Sequence, residues 1–218
     1  MHTLQSGSRC RLRCIALALL LALAAGGGRA AAQGYVKLNL PFAAVGIFNP
    51  AVEFAISPKS TLQSELVLSP WKSVNGHHLL FGIFMGEYRR YFRAHNDGWY
   101  LGLNIGMMAF DMSKPYMQGL HLKFENRYCK GYGMMAGLCV GYEYRFRERW
   151  LLDVFLGWAY MHSTYNGYSN DGIIDLFPHR PVPPQHPDPF NGSAEWYPNK
   201  MGLSIGYRIF RPKRAGEG

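Results

Sequence analysis

From residue 35 onward, apolar and polar residues alternate with a period of two, the spacing of strands that bury one face. Val36, Leu38, Leu40 and Phe42 alternate with Lys37, Asn39 and Pro41. Val52, Phe54 and Ile56 alternate with Glu53, Ala55 and Ser57, and Leu62, Leu66 and Leu68 share a face opposite Gln63 and Glu65. Trp99, Leu101, Leu103, Ile105 and Met107 oppose Gly102, Asn104 and Gly106. The runs 132–144, 152–160 and 201–209 repeat the pattern, with Gly, Ala, Ser, Glu143, Asp153 and Arg208 on the second face. One run, 79–92, is apolar on both faces in its first half, and Glu87 and Arg89 set its parity. The pattern predicts an all-β chain of eight strands.

Connection lengths order those strands. The stretches 57–60, 93–97 and 146–149 are short and polar, whereas 43–50, 69–78, 110–130 and 161–199 are long. The last holds seven of the thirteen prolines. Proline cannot donate to a ladder, so 161–199 is expected to be one extended loop. Tight turns at one end and long loops at the other, between strands of about ten residues, are the pattern of an antiparallel up-and-down transmembrane β-barrel with its long loops extracellular.

A barrel of eight strands can face its apolar residues inward, as a soluble lipocalin-like binder of a hydrophobic ligand does, or outward, as a membrane barrel does. Volume separates the two. The apolar face carries roughly 35 mostly bulky side chains, and an eight-stranded interior is only wide enough for side chains to fill. The other face is rich in glycine, alanine, serine and asparagine, which suit a narrow lumen. It also carries Glu53, Glu65, Glu87, Glu143 and Asp153 against Lys37, Arg89 and Arg208. These eight residues are expected to form an interior charge network, since buried charges are tolerated when paired. A lumen plugged in this way is not expected to pass large solutes.

Residues 1–32 read as a signal peptide. Arg9, Arg11 and Arg13 precede an apolar run from Ile15 to Ala25, and Ala30-Ala31-Ala32 offers a cleavage site before Gln33. The run is too short to span a bilayer as a helix. The whole chain has 23 basic and 14 acidic residues, a formal +9. Removing Arg9, Arg11, Arg13 and Arg29 leaves 19 against 14, or +5. No Lys/Arg tract of the kind nucleic-acid binding requires remains. Residues 33–212 then form the barrel domain and 213–218 a tail. Charged residues are 17% and aromatics 15%, against about a quarter charged in an average soluble domain. Cys129 and Cys139 lie ten residues apart on one extended run, so a disulfide between them would need a fold-back. No Cys/His spacing suits a metal and no cofactor motif is present.

Catalytic residues are not evident. His162-Ser163-Thr164 follows the seventh predicted strand, where a membrane-embedded acyl hydrolase could keep a nucleophile and base. Adjacent strand residues point to opposite faces, so His162 and Ser163 are badly placed for each other, and no third member is evident.

Tyr35, Phe42, Trp71, Phe92, Trp99, Tyr132, Tyr144, Trp150, Tyr160 and Tyr207 fall near strand ends, where interfacial aromatic girdles belong. The chain resembles the domain-of-unknown-function family of small outer-membrane β-barrels common in Bacteroidales. The resemblance rests on Lys37-Leu38-Asn39-Leu40, Asn49-Pro50 leading to Glu53, Ser69-Pro70-Trp71, Glu87-Tyr88-Arg89-Arg90-Tyr91, Arg149-Trp150-Leu151-Leu152-Asp153, Gly157-Trp158-Ala159-Tyr160 and the last strand from Lys200 to Tyr207. It implies an outer-membrane location among outer-membrane lipid and supplies no enzyme mechanism. The last strand, Lys200-x-Gly202-x-x-Ile205-x-Tyr207, also resembles the C-terminal signal read by the barrel-assembly machinery. The function expected is a structural or cell-surface one, with the long loops open to an extracellular partner.

Overall fold

Alternation becomes strand pairing over most of the chain between residues 34 and 208. The computed structural model describes residues 33–74, 76–113, 115–118, 121–124, 127–169, 174–175, 181–182 and 191–209. The expected signal peptide (1–32) and tail (213–218) lie outside the described residues, as does most of the proline-rich stretch. In chain order the elements are β1 (Gly34–Asn39), α1 (Leu40–Ala44), β2 (Pro50–Ser57), β3 (Ser60–Val74), β4 (His77–Tyr91), β5 (Gly98–Met112), β6 (Pro115–Gln118) and β7 (His121–Phe124). β8 (Arg127–Phe146), β9 (Trp150–Ser169), β10 (Ile174–Asp175), β11 (Pro181–Val182) and β12 (Asn191–Arg208) follow.

Eight of these strands close a barrel in the order β1-β12-β9-β8-β5-β4-β3-β2. Every neighbouring pair is antiparallel, including β1 with β12, which joins the first strand to the last. The up-and-down ring is the one the sequence predicts. One end carries the tight turns β2–β3, β4–β5 and β8–β9; the other carries the short β3–β4 connection and the longer β1–β2, β5–β8 and β9–β12 connections. β6 with β7, and β10 with β11, form two small hairpins apart from the barrel sheet.

Several boundaries differ from expectation. The long loops of 69–78, 110–130 and 161–199 are largely strand. β3 and β4 pair as far as Val74 and His77, and β12 starts at Asn191 opposite Tyr165 of β9. Pairing therefore continues past the apolar band, where alternation of greasy and polar residues no longer marks it. Pro198 sits within β12 at a register shift between Pro198 and Lys200, the kind of bulge that accommodates a residue without an N–H. At the other extreme, β1 stops at Asn39, three residues early. The Asn39 side chain accepts from Phe42 N, and Pro41 enters the first turn of α1, an arrangement that starts a helix and ends a strand.

The faces are sorted with charged and polar side chains inward and large apolar ones outward. On β5 the inward residues Tyr100 and Asn104 are fully buried, while Leu103 and Ile105 are 58% and 66% exposed. Outward on β8 stand Tyr132, Met134, Leu138, Val140, Tyr142 and Tyr144. An arrangement with charges outward and apolar side chains within is not the one adopted. Of the girdle residues, Trp71, Phe92, Trp99, Tyr132, Tyr144, Trp150, Tyr160 and Tyr207 are exposed. Tyr35 is not: it is buried in the lumen, because it shares the parity of Lys37 and Asn39. Phe42, carried by α1, is half-buried at the mouth.

Candidate functional site

The lumen at the tight-turn half is filled by charge. Lys37 reaches from β1 to Glu53, Glu143 and Asp153. Arg89, fully buried on β4, is the hub. Its Nη1 lies 2.8 Å from Glu143 Oε1, 2.7 Å from Asp153 Oδ2 and 3.3 Å from Glu53 Oε2, and its Nε bonds Glu87. The guanidinium also stands 4.4 Å from the centroid of the Tyr100 ring. Glu87 passes the chain of contacts upward to Lys200 Nζ at 2.8 Å, and Lys200 contacts Glu65 at 2.7 Å.

The register explains why these groups meet. Glu143 and Asp153 are direct cross-strand partners on β8 and β9, a placement that repels unless cations intervene. Arg89 pairs with Gly102, and Gly102 with Cys139, so the two strands beside Arg89 present small residues across which its long side chain can extend. Ser204 and Gly206 play the same part between Lys37 and the β9 acid.

Neutral donors complete the layer. Tyr91 and Asn96 donate to Glu53 at 2.8 and 3.0 Å, Asn96 also donates to Glu143 at 3.1 Å, and Tyr100 donates to Asp153 at 2.9 Å. Asn96 comes from the β4–β5 turn with φ 57°, a left-handed conformation that asparagine tolerates better than most residues. It closes the floor of the lumen. Gly141 makes room for the Tyr100 ring, since a Cβ there would fall on the ring's hydroxyl end. Gly141→Ala is therefore expected to destabilise the barrel by about 1–3 kcal/mol, read as a lower urea midpoint; an unchanged midpoint would show the ring is not confined.

Above the charges the lumen turns apolar. Met85, Met135 and Ala159 are buried together, with Ile83, Met108, Met161 and Tyr197 packed against them. This explains why the first half of β4 is apolar on both faces. A cavity of about 190 Å³ opens over this layer, bounded by Val67, Phe81, Met108 and Tyr197 and by Glu65 and Lys200 at its polar edge.

Seven of the eight residues expected in the network are there: Lys37, Glu53, Glu65, Glu87, Arg89, Glu143 and Asp153. Arg208 is a correction. It is half-buried at the end of β12 and, among the described residues, makes no ion pair. The third cation is Lys200, the first residue of the last strand expected from the sequence. Tyr91, Tyr100 and Thr61, which bonds Glu53, also join the network, and inward strand parity is the signal that marks them; Asn96 joins it from a turn, where parity gives no signal. No disulfide joins Cys129 and Cys139, which both lie on β8. His162 is exposed on the outer face and Ser163 is buried on the inner one, so they form no catalytic pair. Among the described residues no group of His, Cys, Asp and Glu is disposed to hold a metal ion.

A family model described as "Protein of unknown function (DUF3575)" matches residues 14–176. The chain belongs to that family. No curated protein and no solved structure matches it. The DUF3575 match spans β1 to β10 and includes seven network residues; Lys200, on β12, lies beyond it.

Proposed function

We propose that this DUF3575 protein is a small, exported outer-membrane β-barrel with a structural or cell-surface interaction role and no catalytic one. The observation that carries the reading is the band of apolar residues around the outside of the barrel. On β5 it runs from Trp99 to Ala109 and stops at Asp111, which pairs on the outer face with His78 and Lys130. Ten steps of about 3.4 Å, tilted by about 40°, give a height near 26 Å, against the apolar band of about 25 Å that membrane barrels show. A contiguous apolar surface of that extent needs a partner, and lipid is the partner that fits a closed ring. Outer-membrane lipid and, through β12, the barrel-assembly machinery are then the partners in the cell.

The charge layer supports a plug. Three cations and five acids bridge the lumen, with the methionine layer stacked above, which favours a closed barrel over a pore. The test is migration on a detergent gel with and without boiling. The unboiled protein is expected to run at a different apparent mass from the boiled one. A single unshifted band, with the protein in the aqueous fraction after membrane separation, would refute the reading.

A further inference from the structure

The tight-turn rim is strongly positive, and the opposite rim is not. Lys59, Arg90, Arg93, Arg145, Arg147 and Arg149 are all exposed at the tight-turn end, against Asp97 and Glu148. That is six basic and two acidic residues, a net +4. The stretches that join strands at the opposite end, 72–76, 111–130 and 162–195, hold six basic and six acidic residues, a net of zero. We propose that the tight-turn rim binds the headgroups of anionic phospholipids in the leaflet it meets. This rests on the outer-membrane reading above and adds a lipid class and a side to it.

Geometry places the cations at headgroup depth. Arg149 Nη1 is held 2.8 Å from the Tyr207 hydroxyl, and the Tyr207 ring meets Trp150 edge-on at 5.0 Å. Arg90 Nη1 lies 3.1 Å from Ser60 Oγ, itself 2.8 Å from the Tyr88 hydroxyl. One guanidinium is thus tethered directly to Tyr207 of the girdle, where an amphipathic ring marks the boundary between hydrocarbon and headgroup, and a second is tethered through Ser60 to the exposed Tyr88. Guanidinium recognises phosphate with two parallel donors, and a surface cation near an anionic bilayer gains attraction that a neutral bilayer does not provide. Arg147 adds a second kind of observation. It occupies the β8–β9 turn with φ 58°, where glycine or asparagine is the relaxed choice, so the turn presents a cation at a conformational cost.

The experiment uses full-length protein whose unboiled band is shifted, in non-ionic detergent doped with equal phosphatidylglycerol and phosphatidylcholine, read by native mass spectrometry. The wild type is expected to retain phosphatidylglycerol roughly tenfold or more over phosphatidylcholine. Arg93→Gln/Arg147→Gly/Arg149→Gln should fall below about twofold, and Lys72→Gln/Lys130→Gln, at the opposite rim, should keep the wild-type ratio. Arg147→Gly alone should unfold no earlier than wild type while losing part of the preference, which separates binding from folding. A triple variant that keeps the preference, a wild type that has none, or equal loss from the opposite rim would overturn the rim assignment while the heat shift keeps the membrane reading intact. Protein with no heat shift would overturn the membrane reading, and the rim assignment with it.

Discussion

Arg89→Met is expected to be the most damaging single substitution in the barrel, costing about 3–5 kcal/mol, because it leaves buried acids without their shared cation. Arg89 touches Glu53, Glu87, Glu143 and Asp153. Methionine fills much of the same volume, so cavity formation is a minor part of the cost. What remains is Glu143 directly across from Asp153, with Lys37 alone between them. Urea unfolding in detergent, followed by the heat-shifted band, measures the loss. Adding Asp153→Asn and Glu143→Gln should recover much of it, since replacing a whole buried charge group by neutral residues is far cheaper than breaking it. Arg89→Lys should lie between, as one ammonium cannot reach the acids that the guanidinium fork serves together. A single Arg89→Met variant as stable as wild type would mean that the layer contributes nothing to folding.

That layer shows how far strand parity carries a reading. Period two assigns every residue of a strand to one of two faces, so seven charged residues from six strands could be gathered into one lumen before any contact was known. Parity fails where the strand count slips. The bulge at Pro198 puts Tyr197 and Asn199 out of step with the inward residues that follow it, yet brings both beside Lys200 at the lumen cavity; Lys200 itself keeps the inward parity of Gly202, Ser204, Gly206 and Arg208 and is the cation of that strand in the network. Asn96 was illegible for a different reason: it lies in a turn, where no periodicity applies. The long hairpins were underestimated because amphipathic alternation reports a boundary between two solvents. Beyond the apolar band both faces of β9 and β12 turn polar, yet the backbone pairing of Tyr165 with Asn191 goes on.

Leu138→Arg is expected to cost about 2–4 kcal/mol in lipid vesicles, the penalty for a cation at the midplane of a bilayer. Leu138 lies midway along the outward band of β8, 67% exposed, flanked in register by Leu103 of β5 and Trp158 of β9. Nothing in the protein opposes the change: the side chain points away from the barrel, and no buried neighbour is displaced. On a water-facing surface the same substitution would shift stability by about 0.5 kcal/mol or less. Tyr144→Arg, at the girdle on the same strand and face, supplies the depth control, with an expected cost of about 0–1 kcal/mol. Both variants leave the lumen untouched, so neither acts through the charge layer. The difference between them, taken from urea titrations of vesicle-folded protein, therefore reports the medium around the barrel. A steep fall from Tyr144 to Leu138 means hydrocarbon at the band's centre. Equal costs at the two positions would mean that water or another protein covers the apolar ring, and the membrane assignment would fail even with every interior contact in place.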